Sequence, residues 1–148
     1  VKPRIRVVAA VVMDADDRVL LAERPPGKHM AGWWEFPGGK VADGESDAAA
    51  LVRELREELG IEVTPGRALA TLSHDYDDRS VDLVFWHVDQ FVGTARGLDG
   101  QRLKWVPRAS LGDERILEAD RPFVQQLQAA GYAAEVRAFS ETLARLES

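Results

Sequence analysis

Three glutamates, Glu54, Glu57 and Glu58, stand within GKVADGESDAAALVRELREELGI, residues 39–61, a stretch that reads as a helix behind a glycine-rich turn. Side chains three and four positions apart are neighbours on a helix surface, so the three carboxylates gather on one side. Oxygen donors of this kind hold a hard divalent cation or take a proton from water. For a bare helix the arrangement is costly. Like charges at i, i+4 repel by about 0.3 kcal/mol, and Glu57 and Glu58 occupy the last turn before Gly60, where the helix dipole disfavours anions. Two readings follow from the residues alone. Either Arg53 and Arg56, interleaved with the acids, make a solvated and partly neutralised face, or a cation completes it.

The elements that must position these acids are legible around them. Ala48, Leu51, Val52, Leu55 and Leu59 form an apolar stripe at helical period, which predicts a helix over about 46–59 with the acids on another face. Ser46 or Asp47 suits its cap and Gly60 its left-handed end. Upstream, residues 4–13 and 18–23 are β-branched or leucine-rich and are separated by an acidic turn, the pattern of two strands. Residues 25–32 read as a loop and 33–36 as a short strand running into Pro37, Gly38 and Gly39. Further strands are expected at 61–72, 81–92 and 103–106, with a hairpin loop at 74–80. A second helix is expected from Asp120-Arg121-Pro122, since Asp suits a cap and proline a first turn. The tail from 133 to 148 carries Val136, Phe139, Leu143 and Leu146 at helical spacing, a third helix packed on the body or in a dimer contact. This order predicts an α/β fold, a mixed sheet covered by helices on both faces.

With 148 residues, 45% of them hydrophobic, the chain suits one domain with a substantial core. We take 1–131 as that domain and 132–148 as the tail. A net charge of −6 opposes passive binding of a phosphate backbone, so a nucleic acid polymer is not the expected partner. A small anion carried in with divalent metal is compatible with it. The chain has no cysteine, which excludes disulfides and thiolate zinc, and His29, His74 and His87 lack ligand spacing. Intracellular, cytoplasmic residence fits that composition. No apolar run reaches the roughly 20 residues that span a bilayer, so no membrane partner is expected. Lys2, Arg4 and Arg6 before VVAAVVM are similar to a short signal sequence, but the run passes directly into acidic turn and strand.

Read as a string, the glutamate stretch is Gly39, five residues, Glu45, seven residues, Arg53-Glu54-Leu55, one residue, Glu57-Glu58, one residue, Gly60-Ile61. It resembles the Nudix box at every fixed position. The chain is similar to the MutT branch of the Nudix hydrolases from about Arg6 to Leu127, most specifically in HMAGWWEFPGGK (29–40), DYDDRSVDLVFW (75–86) and EADRPFV (118–124). The resemblance implies a Nudix-type α/β/α sandwich with a mixed central sheet and a catalytic loop-helix box. It implies an enzyme that degrades oxidised purine nucleoside triphosphates, a small-molecule activity that sanitises the nucleotide pool ahead of DNA replication and repair. Monomer and homodimer are both compatible with it.

The resemblance also assigns residues. The carbonyl of Gly39 with Glu54, Glu57 and Glu58 would hold divalent metal around the substrate's pyrophosphate, and Asp99 would add to metal binding or water activation with an acid shorter than the family's Glu. Mg²⁺ is the expected ion, with Mn²⁺ able to substitute. Such a face holds Mg²⁺ loosely until a nucleotide brings its phosphates. Glu54 is the favoured proton acceptor, with Asp99 second, and Glu57 and Arg53 complete the catalytic set. Arg53 would orient the glutamates together with Glu45, or else be an ordinary surface ion pair. Arg24 matches a nucleotide-touching arginine, and Lys40 is either a phosphate contact or a surface charge. Phe36 would wall the base pocket or join the core beside Trp34. His29, Asp78 and Arg79 match loop positions that close over base and sugar, although His29 also reads as a simple loop residue.

Asp120 departs from the pattern, because the MutT proteins carry asparagine there, whose amide donates to O6 and accepts from the N7–H of 8-oxoguanine. An ionised aspartate only accepts. It would bind the N1–H and N2 amino edge of guanine or the amino group of cytosine, it would be held protonated and imitate the amide, or it would simply cap the second helix. The expected activity is therefore 8-oxo-dGTP diphosphatase. CTP or modified-pyrimidine pyrophosphohydrolase is the alternative, and a non-catalytic nucleotide-sensing or protein-binding Nudix domain comes third.

Overall fold

A computed structural model describes residues 1–129, so the expected tail helix lies outside the described residues. Strands β1 (Arg4–Val11) and β2 (Arg18–Glu23) are followed by the short β3 (Trp34–Glu35) and β4 (Gly38–Lys40), then helix α1 (Asp47–Leu59). The long hairpin β5 (Glu62–Asp75) and β6 (Ser80–Val92) comes next, then β7 (Leu103–Pro107), a 3₁₀ turn at Arg108–Asp113 and helix α2 (Arg121–Gln128).

The expected central sheet divides into two. One has the order β4-β1-β6-β5, with β1 and β6 parallel and the other pairs antiparallel. The other has the order β3-β2-β7, all antiparallel. The break falls where β1 ends at Val11, two residues short of the expected end, and Met13 keeps only an isolated bridge to Val19. The cause is local: Asp14 Oδ1 accepts from the amides of Asp16 and Arg18, and Asp17 takes the left-handed φ of 60°. The chain thus turns sharply into the second sheet.

Alternation along the strands builds a core on each face. Val8, Ala10 and Val12 pack with Leu20 and the α1 residues Ala50, Leu51, Leu55 and Leu59. Ala9 and Val11 face the other way, with Leu21, Phe36, Phe85 and the α2 residues Phe123, Val124 and Leu127. The layers are therefore helix, sheet, helix. The stripe of α1 differs from expectation, with Ala50 fully buried and Ala48 and Val52 half-buried. Leu51, Leu55 and Leu59 are 0% exposed, and truncating one of them to alanine costs about 2–5 kcal/mol.

The hairpin loop is shorter than expected. Pairing continues to Asp75↔Ser80, and the Tyr76 N–H donates to Arg79 O at 2.7 Å, which leaves a tight turn at 76–79. The Pro-Gly-Gly segment into which the expected short strand runs supplies β4, whose Gly38 and Gly39 pair with Ala9 and Val8. Gly38 permits this approach, since a Cβ there would lie 1.9 Å from Val8 O.

Candidate active site

Helix α1 is fixed at both ends by the residues its sequence offers for that purpose. Ser46 Oγ accepts from the Ala49 N–H at 3.1 Å, and Gly60, at φ 68°, donates its N–H to Arg56 O. A two-pronged ion pair, Arg6 to Asp47 at 2.7 and 2.7 Å, ties the first turn to β1. The acid face is thereby held against β4, where Gly39 lies beside Glu54.

Arg53 organises that face. Its guanidinium donates to both Glu45 oxygens (2.7 and 2.8 Å), to Glu54 Oε1 (3.0 Å), to Glu57 Oε2 (3.3 Å) and to the Lys40 carbonyl (3.0 Å). Glu45 also accepts from the Ala42 N–H at 3.0 Å. The hydrogen bonds from Arg53, then that from Ala42, hold the Glu45 carboxyl down to about 2. Arg53 is itself pushed above its ordinary value, first by Glu45 and then by Glu54. One planar cation thus sets the spacing of three acids and a strand carbonyl.

Glu58 has no such partner. Burial first, then the nearby charges of Glu54, Glu35 and Asp99, push it up to about 8. Gly39 lies so close to Glu54 that a Cβ on it would sit 2.3 Å from the carboxyl carbon and 2.4 and 2.7 Å from its oxygens. A glycine backbone and a carboxylate therefore share one cradle, with Glu58 and Asp99 within electrostatic reach. The donors are all oxygen and carry excess negative charge, which suits a hard divalent cation. Among the described residues no group of three or more His, Asp or Glu side chains is arranged to hold a metal ion by itself. An ion here would complete its shell with water and substrate oxygens, as Mg²⁺ does. The residues fit it.

Glu35, which the sequence did not single out, links this face to Asp120. It is half-buried on β3, its charge raises both Glu58 and Asp120, and Arg24 Nη1 stands 3.5 Å from Glu35 Oε2. Burial raises Glu35 itself, against the pull of Arg24. Its signal in the sequence was a lone acid between aromatics in WWEF, which alternation turns away from the Trp34 and Phe36 side.

Asp120 is 5% exposed. It stands at the start of α2 but makes no capping bond; its φ and ψ, −90° and −19°, are already helical. The carboxylate turns inward instead, where Oδ2 lies 3.4 Å from the Phe36 N–H. The cap reading is therefore corrected. Burial, then Glu35, push Asp120 up to about 7, against the Phe36 amide and Arg24.

Phe36 is 4% exposed, its ring edge-on to Phe85 and Phe123 at 5.7 and 5.9 Å. Of the two readings left open for it, the ring takes the core, and its backbone amide is the part that meets Asp120. Beside it the aligned pairs Val7↔Leu83↔Leu72 and Ile5↔Val81↔His74 present one sheet face. Of the remaining substrate candidates, Arg24 stands beside Glu35, His29, Lys40 and Asp78 are exposed, and Arg79 is half-buried. Arg24 Nε donates to the His29 carbonyl at 3.0 Å, which closes the 25–32 loop on β2. Lys40 is exposed, with its carbonyl on Arg53. Asp78 and Arg79 pair with each other at 3.1 Å on the hairpin turn, where Arg79 also lies over the Tyr76 ring.

A helix-borne acid face oriented by an arginine, beside a buried carboxyl, sits in an α/β/α sandwich. The chain matches the NUDIX domain family over residues 8–126 and belongs to it. Among its relatives, the CTP pyrophosphohydrolase of Escherichia coli is 42% identical over 125 residues, which cover 84% of this chain and 92% of that protein. The 8-oxo-dGTP diphosphatase of Proteus vulgaris is 44% identical over 90 residues, 61% of this chain and 80% of that protein. The solved MutT protein of Methanosarcina mazei superposes with a TM-score of 0.77 at 27% identity, covering 85% of this chain and 94% of that one. The protein is a Nudix nucleotide pyrophosphohydrolase of MutT-like kind. No helix among the described residues is long and apolar enough to cross a membrane.

Proposed function

We propose that the protein hydrolyses 8-oxo-dGTP to 8-oxo-dGMP and pyrophosphate, with Mg²⁺ held by Glu54, Glu57, Glu58, the Gly39 carbonyl and Asp99. When bound, the ion draws charge from the phosphates and makes water more acidic. Glu54, oriented by Arg53, accepts the proton of the attacking water. The new bond forms at the β-phosphorus, and the bond from that phosphorus to the oxygen bridging the α-phosphorus breaks. The monophosphate leaves with the bridging oxygen, and the water oxygen ends in pyrophosphate.

The observation that carries the base assignment is the buried Asp120 carboxyl beside the Phe36 amide. Held near pH 7, this group is protonated in a large share of molecules. A carboxylic acid offers one donor and one acceptor side by side. That pair complements O6 and N7–H of 8-oxoguanine, as an asparagine amide would. It also complements N3 and the N4 amino group of cytosine, which supports CTP as a second reading, as does the likeness to the E. coli CTP pyrophosphohydrolase. The first reading makes this a sanitation enzyme of the nucleotide pool in the cytoplasm, upstream of DNA replication and repair.

Turnover of 8-oxo-dGTP, dGTP, CTP and dCTP, with and without Mg²⁺ and in ¹⁸O-labelled water, tests both the reaction and the substrate. The expected result is label in pyrophosphate alone and preference for 8-oxo-dGTP. Label in the monophosphate overturns the site of attack, and a CTP preference selects the second reading.

A further inference from the structure

The last carbonyls of a helix lack partners within it. At the end of α1 they are met by the segment that carries Asp99. The Leu98 N–H donates to Glu58 O and the Arg96 N–H to Leu59 O, both at 3.0 Å. Gln101 Nε2 adds a second donor to the same Glu58 carbonyl at 3.4 Å. The other half of that amide, Oε1, accepts from the Asp99 N–H at 2.9 Å.

The two backbone bonds dock this segment whatever residue stands at 101, and neither involves Asp99. Asp99 is exposed and sits next to Gly100, at φ 80°. On the other side Gly97 packs against the Gln101 backbone so closely that a Cβ on it would lie 1.8 Å from Gln101 O. The Gly100 N–H donates to Gly97 O at 3.0 Å and closes a turn around Asp99, but the Asp99 N–H itself is taken by Gln101, and aspartate has one methylene less than glutamate with which to compensate for an error.

We infer that Gln101 is a positioning residue: its side-chain amide joins the Asp99 backbone N–H to the Glu58 carbonyl and so sets how far the Asp99 carboxylate reaches toward the acid face. The inference rests on the proposed reading in which Asp99 serves that face. It adds a residue that touches neither substrate nor ion and acts on one acid through the peptide of another.

Gln101→Met keeps the length and removes both bonds. In the metal-free protein the Asp99 amide should exchange with solvent about tenfold faster, since an exposed loop amide loses its one acceptor. The Leu98 and Arg96 amides should keep their protection. With Mg²⁺ and nucleotide, kcat should fall about tenfold with KM unchanged, as expected for a misplaced catalytic group. In an Asp99→Asn background the same change should cost nothing further. Parent-like exchange at Asp99, or a full additional loss on top of Asp99→Asn, overturns the role of Gln101. Parent kcat in Asp99→Asn itself overturns the part given to Asp99, a result separable from the exchange measurement.

Discussion

Glu45 and Asp120 belong to two ends of one site, and their surroundings drive them in opposite directions. Glu45 receives three hydrogen bonds, two from Arg53 and one from Ala42, and is held down to about 2. Asp120 has one long contact at 3.4 Å and is pushed by burial up to about 7. The surroundings of Glu45 keep its charge and those of Asp120 suppress it, which in the proposed reading are the phosphate end and the base end. Glu58 lies between, with the burial of the second end and the crowding of the first. A bound cation relieves crowding, whereas nothing but a donor on the base relieves burial. The two ends should therefore respond to different perturbations.

The largest effects belong to the charged end. Glu57→Gln and Glu58→Gln should each lower turnover by about two orders of magnitude or more while leaving the fold intact. Circular dichroism and initial rates of pyrophosphate release check this. Parent rates in both variants would remove the acid face from the reaction. Arg53→Lys should come next, with kcat lowered about tenfold, because a lysine ammonium cannot reproduce the fork that spans Glu45, Glu54, Glu57 and the Lys40 carbonyl. Its KM for nucleotide should change little, and a pure KM effect would mean that Arg53 binds substrate instead of orienting acids.

The base end should answer in selectivity. Asp120→Asn should keep the preference for 8-oxo-dGTP, since the amide supplies the same donor and acceptor as the acid form. Asp120→Ala should lose at least tenfold in discrimination against dGTP. In the parent, kcat/KM for 8-oxo-dGTP should fall as pH rises through about 7, where Asp120 gives up its proton, and the Asn variant should lack that fall. A loss of selectivity in the Asn variant would show that the ionised carboxylate, accepting from two base donors, is the working form.

These two ends were unequally legible before the fold was known. The box helix is local: Ser46, the stripe, Gly60 and the spacing from Glu45 to Glu58 lie within one element and its lead-in, so period and caps sufficed to draw it. Asp120, Phe36 and Glu35 meet through tertiary packing. Asp120 and Phe36 are 84 positions apart, and no local pattern could choose between a cap and a buried carboxylate. Gln101 escaped notice for the same reason, since its meaning depends on the end of α1 folding beneath it. The split of the sheet was hidden in the turn where Asp14 accepts from two amides and Asp17 adopts a left-handed φ of 60°.

The smallest expected effect separates the two ends most cleanly, because it needs no substrate. An acid whose folded pKa exceeds its unfolded value contributes stability that is complete below the unfolded pKa and is lost as pH rises through the folded one. Unfolded Asp and Glu titrate near 3.9 and 4.3, and Asp120 and Glu58 are pushed up to about 7 and about 8. The metal-free protein should therefore lose stability as pH rises from about 5 to about 8. Both groups contribute up to about 7, so Asp120→Asn should reduce the slope below that pH, and Glu58→Gln should reduce it there and also remove the fall that continues to about 8. Glu45 works in the other direction, with its contribution lost only as pH falls toward about 2, so it does not enter this window. Mg²⁺ should then discriminate between the causes: it should flatten the part due to Glu58, whose neighbours it neutralises, and leave the part due to Asp120. Urea midpoints across that range, in parent and both variants with and without Mg²⁺, measure this. An Asn variant that declines as the parent does would mean that burial does not keep Asp120 protonated, and the two ends would then hold their acids by the same means.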